Sequence, residues 1–262
     1  SLEKTDFKEF HLSTSFRLRQ DIAALAGEVL KYKGHFTAYQ PITITGKGNP
    51  GKVNTTAVIA RTNLGLLLQA IEYMEDRDDI KHIYFEGNIN SYAYADDGTS
   101  LYDVLNLFNK KHHLIRDNLV KQMKDVAELE EYIEHTEDVQ LSTMLEIVKE
   151  YSTDIPDIIR KIKSKHVAND DKDKAQVIFS TVHRCKGMEY DHIILVDDFI
   201  TEERLKKTLD EHGDKVNIQK LNEDVNLLYV AVTRTRNIVQ IPSTLIPAGC
   251  AASPHINIVE MG

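Results

Sequence analysis

The sequence predicts an α/β fold, a parallel sheet interrupted by a helical insertion. Three observations carry that reading. Residues 55–87 alternate an apolar β-rich run, TTAVIARTN, a helical run, LGLLLQAIEYMED, and a second β-like run, IKHIYFEG; this order implies parallel strands joined by a crossover. Near residue 180, two short apolar runs, AQVIFS and HIILV, flank a polar cluster and read as adjacent buried strands. Between these regions helical periodicity dominates from about residue 101 to 168. The sheet part is therefore assigned to 1–88 and 170–245, the insertion to 89–169 and a tail to 246–262.

Taken in order, residues 1–11 are charged and include a short strand. Asp21–Tyr32 places Ile22, Leu25, Ala26 and Val29 on one stripe of an amphipathic helix that ends near Gly34. Tyr39–Gly51 is a turn-rich connection. Its GKGNPGK stretch, Gly46–Lys52, has glycines and lysines but neither the spacing nor the final Ser or Thr of a phosphate loop, and reads as a turn. The run at 55–63 is a core strand presenting Arg61, Thr62 and Asn63 at its end. In the insertion, LYDVLNLFNKKHHLI reads as one helix, residues 126–151 as one or two, and IPDIIRKIKSK as another, with Pro156 suited to a first turn. Residues 166–175 form a charged linker. Ile200–Gln219 is polar and helical, and the tail holds a short strand at NIV.

The polar cluster Ser180, Thr181, His183, Arg184, Lys186, Gly187 and Glu189 lies in FSTVHRCKGMEYDHIILVDD. Such groups between buried strands tend to gather at a sheet edge, where ligands bind; they read equally as an ordinary connection facing water. A second segment, NLLYVAVTRTRN, ends an apolar run with Thr233, Arg234 and Arg236. A guanidinium fixed by such an element is a bidentate phosphate partner, and the bland alternative is a pair of surface arginines.

TVHRCKGMEYD resembles motif V, LLYVAVTRTR motif VI, and STSFRLRQDI at Ser13–Ile22 motif IV of the UvrD/Rep family of superfamily 1 helicases, in the family's order. TTAVIARTN is similar to the motif IVa strand. VDDF and NEDVNLLYVAVTR look closest to the F-box DNA helicase branch. The resemblance implies a RecA-like second lobe with a compact 2B-like insertion. It implies Arg17 and Arg234 as the arginines that reach the γ-phosphate, Phe16 as the ring against adenine, and Glu189 as a contact to the nucleotide sugar. Arg61, Asn63, Thr181 and His183 match positions that meet the DNA strand. Phe16 stands where Tyr is usual, Met188 where Leu, Tyr190 where Phe or Trp, and Thr235 where many relatives have Ala.

No G-x-x-x-x-G-K-[ST] occurs, so ATP and Mg²⁺ are expected only together with a first, N-terminal helicase lobe. The implied activity is 3'-5' ATP-dependent DNA unwinding in the full-length context, with single-stranded or duplex DNA as partner and the isolated chain inactive. A catalytically inactive nucleic-acid-binding or protein-interaction module is the rival reading. A third is an unrelated enzyme binding a metal through Asp197 and Asp198.

Bulk properties bound these readings. The 262 residues carry a formal net charge of −9, which argues against a surface gripping nucleic acid everywhere but leaves room for a local basic track. Two cysteines, Cys185 and Cys250, provide no disulfide framework. No apolar run reaches the roughly 18 residues of a membrane span, so the expectation is a cytoplasmic protein with no membrane partner. His112, His113 and His135 read as surface histidines, and no metal site is expected. Lys110, Lys111, Lys121 and Lys124 read as a solvated face.

Overall fold

The computed structural model describes residues 13–49, 51–75 and 77–260. The strand expected within residues 1–11 lies outside them. Six parallel strands form the main sheet: β3 (Thr56–Ala60), β4 (Ile83–Phe85), β5 (Val177–Thr181), β6 (Tyr190–Leu195), β7 (Thr235–Pro242) and β8 (Ile256–Val259), in the order β4-β5-β3-β6-β7-β8. β3, β4 and β5 are buried almost throughout. That is why they read as continuous apolar runs: helices cover both faces of a parallel sheet. A separate pair, β1 (Thr14–Ser15) with β2 (Thr45–Gly46), precedes the sheet.

The two sheet faces build two cores. On one, Ala57, Ile59, Ile178 and Ile193 pack with α1 (Gln20–Lys31) and α9 (Ile218–Val232). On the other, Val58, Ala60 and Phe179 pack with α2 (Asn63–Glu75) and the helices between β4 and β5: α3 (Leu101–Phe108), α4 (Asn118–Gln122), α5 (Val126–Thr136), α6 (Val139–Tyr151) and α7 (Ile155–Lys165). The inserted helices thus share a core with the sheet. Their starts are written into the sequence. Ser100, Asp117, Asp125 and Asp138 each accept a backbone N–H from the first turn of α3, α4, α5 and α6, and such a cap contributes about 1 kcal/mol. Pro156 occupies the first turn of α7.

Two expectations are corrected. The stretch from Leu101 to Ile115 is not one helix. α3 stops at Phe108, Lys110 takes φ 56°, and a 3-10 turn follows at His112–Leu114; a left-handed residue after polar Asn109 ends the helix. β5 and β6 are not neighbours either, because β3 lies between them. Their connection, Val182–Glu189, crosses the sheet face where Val182 and Cys185 are buried in the α1/α9 core. The tail adds β8 as an edge strand, pinned by His255 Nδ1 and Ser253 Oγ on Asp21 Oδ2 of α1, at 2.7 and 2.6 Å. Among the described residues no helix is long and apolar enough to cross a membrane.

Candidate functional site

The residues singled out in the sequence gather at two opposite edges of the sheet. At the edge where β6 and β7 begin, Glu189 directly precedes β6 and Arg234 directly precedes β7. Arg17 arrives from the β1–α1 connection and donates through Nη1 to Glu189 Oε1 at 2.9 Å, with side chains 30% and 40% exposed. Arg17 Nε is buried and has no hydrogen-bond partner among the described residues. The Arg234 guanidinium is held on three sides: Nε donates to Val230 O at 3.0 Å, Nη1 to Met188 O at 3.2 Å and Nη2 to Thr233 Oγ1 at 3.3 Å. Burial first, and then the nearby Arg17 charge, lower the pKa of Arg234 below the usual guanidinium value. Both effects mark a half-buried cation beside a second cation. Phe16 is 77% exposed, with Lys47 Nζ 5.9 Å from the ring centroid.

The GKG stretch read as a turn holds this edge together. Lys47 N donates to Ser15 O at 2.7 Å and Gly48 N to Leu18 O at 2.8 Å. A Cβ on Gly48 would fall 2.1 Å from Arg17 O, and one on Gly46 2.5 Å from the Arg19 carbonyl. Only glycine lets the two backbones approach so closely. Thr235, where Ala is common in the resembling family, is fully buried; its hydroxyl donates to Ile238 O at 2.7 Å beside a register irregularity between Tyr190 and His192.

At the opposite edge, where β3 and β5 end, Arg61 and His183 line a cleft of about 470 Å³ together with Asp96, Lys220 and Asp224. His183 is exposed, while Thr181 is buried, at 4%. Arg61 pairs with Asp224 of α9 through Nε and Nη2, at 3.0 and 2.9 Å. Asn63, at the start of α2, donates through Nδ2 to Tyr94 O at 3.4 Å. Asp198 fixes the backbone here: Oδ1 accepts the Arg61 N–H at 2.7 Å, and Oδ2 accepts the Thr62 N–H and hydroxyl, each at 2.8 Å.

The structure therefore brings Arg17, Glu189 and Arg234 together at one edge and Arg61 and His183 at the other, with Asn63 beside them and Thr181 behind. Asp197 and Asp198, the metal ligands of the third reading, both accept from the chain's own donors: Asp198 takes the three bonds above, and Asp197 accepts from Thr244 Oγ1 at 2.6 Å. Among the described residues no group of three or more His, Cys, Asp or Glu is placed to hold a metal ion. Residues 65–243 match the model of the UvrD-like helicase C-terminal domain. The chain belongs to that family. It is also similar to F-box DNA helicase 1 of Gallus gallus, with 24% identity over 267 residues, 96% of this chain and 25% of that protein. F-box DNA helicase protein 1 of Schizosaccharomyces pombe is 24% identical over 255 residues, 91% of this chain and 28% of that protein. The chain thus spans about a quarter of the length of the curated relatives it matches.

In this UvrD-like domain the sequence reading gave no role to Glu86 or to Arg184, which together tie down the Val182–Glu189 connection. Arg184 Nη1 donates to Glu86 O at 2.9 Å, Nη2 donates to Ser91 Oγ at 2.6 Å, and the guanidinium lies 4.5 Å from the centroid of Tyr92. Glu86, 5% exposed, pairs with Lys172 and accepts from the Tyr190 hydroxyl at 3.3 Å. The only available signal was the position of Arg184 inside the motif V match.

Proposed function

We propose that this chain is the second motor lobe of an ATP-dependent DNA helicase or translocase of the F-box DNA helicase branch. Residues 1–88 and 170–245 form the lobe and 89–169 its insertion. The observation that carries the reading is the sorting of motif residues onto opposite sheet edges joined by one connection. Val182–Glu189 begins beside His183 and ends at Glu189, so whatever binds one edge meets the same loop as whatever binds the other.

The strand-start edge suits phosphate oxygens. Among the described residues it offers the Arg17 and Arg234 guanidiniums, the first with its buried Nε unpaired, and the Glu189 carboxylate. A partly exposed pair such as Arg17–Glu189 contributes only about 0.2–1 kcal/mol, so an arriving phosphoryl group can take Arg17 at little cost. ATP and Mg²⁺ would be held mainly by an N-terminal lobe bearing the phosphate loop, and ATP supplies the phosphoryl transfer. Arg17 and Arg234 then stabilise charge on the phosphoryl oxygens, Phe16 offers a ring face to the base, and Glu189 moves from Arg17 to the nucleotide.

The strand-end edge suits a single DNA strand. Arg61 and His183 meet the backbone, Asn63 continues the path, and Thr181, buried at the end of β5, sets where the loop bearing His183 begins. Backbone contacts of this kind are insensitive to sequence and release counterions. Binding of oligo-dT to this chain should therefore be weak and fall steeply with salt, and His183→Ala and Arg61→Ala should each weaken it several-fold. Fluorescence anisotropy across a salt series is the measurement; tight binding indifferent to salt, or to both substitutions, would remove the track. The chain alone should hydrolyse ATP no faster than buffer, with or without DNA. DNA-stimulated turnover that copurified with this polypeptide would sink the division of labour between lobes.

A further inference from the structure

A second cleft, of about 270 Å³, is lined by the rings of Phe85, Tyr92, Tyr94 and Tyr102 together with aliphatic side chains of α2 and α7. Its floor is rigid. Phe85 stacks on Phe179 with centroids 4.9 Å apart and an interplanar angle of 18°, and Tyr92 lies 5.1 Å from Phe85. Tyr92 is pinned in turn by its hydroxyl on Glu86 O at 2.6 Å and by Arg184 over its ring. Its walls are different in kind. Tyr94 and Tyr102 remain 44% and 37% exposed, against 1% for Tyr92. Lys163, in the last turn of α7, stands exposed at the rim and forms no ion pair with a carboxylate among the described residues.

We propose that this cleft takes one unstacked base of a bound nucleic-acid strand between Tyr94 and Tyr102, with Lys163 on an adjoining phosphate. The inference rests on the strand-end track proposed above. Continuity with that track selects the occupant. The Tyr94 carbonyl receives the Asn63 side chain, and Asp96, two residues on, lines the cleft of Arg61 and His183. A strand leaving His183 past Asn63 reaches Tyr94 next. Asp96, one of three carboxylates lining that first cleft with Glu223 and Asp224, accepts from Gln140 Nε2 at 3.2 Å. A base has an apolar face for the rings and a charged phosphate one bond system away for a lysine, which is the pairing that stacking platforms on single strands use. Every base has such a face, so the cleft adds affinity without adding sequence preference.

The chain contains no tryptophan and 11 tyrosines, so the difference in tyrosine quenching between the wild type and Tyr94→Ala/Tyr102→Ala reports stacking in the cleft. Oligo-dT should quench the wild-type emission, and an abasic oligomer of equal length should quench it less. The double variant Tyr94→Ala/Tyr102→Ala should bind oligo-dT about tenfold more weakly, within the range for losing a stacked base, while Tyr94→Phe/Tyr102→Phe should bind like the wild type. The wild-type advantage should vanish on the abasic oligomer. Lys163→Ala should weaken both oligomers and flatten the salt dependence. Equal binding of oligo-dT by the wild type and the alanine variant overturns the base site while leaving the His183 track standing. A defect that persists on the abasic oligomer, or in the phenylalanine variant, also overturns it. Absence of DNA binding by the wild type overturns both site and track.

Discussion

Replacing Arg234 with alanine in the complete protein is expected to lower the ATPase kcat by roughly 10²-fold or more, the range for loss of one strong electrostatic donor. Nucleotide affinity should change much less, because a cation that meets the phosphoryl group mainly in the transition state contributes to turnover more than to ground-state binding. The geometry gives the reason. Val230 O and Met188 O, at 3.0 and 3.2 Å, aim the half-buried guanidinium before any substrate arrives. Arg234→Lys should rescue little, since an ammonium cannot hold two carbonyls and a phosphate in one plane. Arg236 is the control. It pairs with Asp191 at 3.1 Å and is 47% exposed, so Arg236→Ala should leave turnover near the wild-type rate. Steady-state rates and nucleotide affinities measured on the same folded variants decide the matter, and near-normal turnover in Arg234→Ala would end the assignment.

What could be read from the sequence follows from which interactions are local. β3 and β5 were legible because strands buried on both faces must be apolar without interruption, and α1 because its apolar stripe recurs at helical spacing. LLYVAV was legible only as an apolar element: its residues suit a buried helix or a strand, and the structure makes them the end of α9. The motif residues were legible one by one. Their division between two sheet edges was not, because it depends on β5 and β6 straddling β3, a fact of topology that no local pattern records. The partners were hidden for the same reason. Asp224 reaches Arg61, Glu86 reaches Tyr190 and Asp198 reaches Thr62 across long stretches of chain. In a single sequence each is one more acid.

Asp198 shows how much such a hidden residue carries. Asp198→Ala should destabilise the chain by about 3 kcal/mol or more, because it orphans two backbone N–H groups and a hydroxyl, at roughly 1 kcal/mol or more for each donor left buried. It should also weaken DNA binding, since the Arg61 and Thr62 N–H groups it holds set the end of β3 and the start of α2. The residue keeps some exposed surface, yet desolvation of its carboxylate outweighs these donors and the Arg61 charge, and its pKa is pushed up to about 6. The sign of the pH dependence follows. A carboxyl with a folded pKa above its unfolded value of about 3.9 gives its full stability contribution below that value and loses it as pH rises towards 6. The wild type should therefore gain stability relative to Asp198→Asn on acidification from pH 7 to pH 4, by at most about 3 kcal/mol for a shift of some two units. Urea unfolding of both proteins across that range tests it. A difference that stayed flat, or grew towards neutral pH, would mean that the three donors hold the carboxylate ionised in spite of its burial.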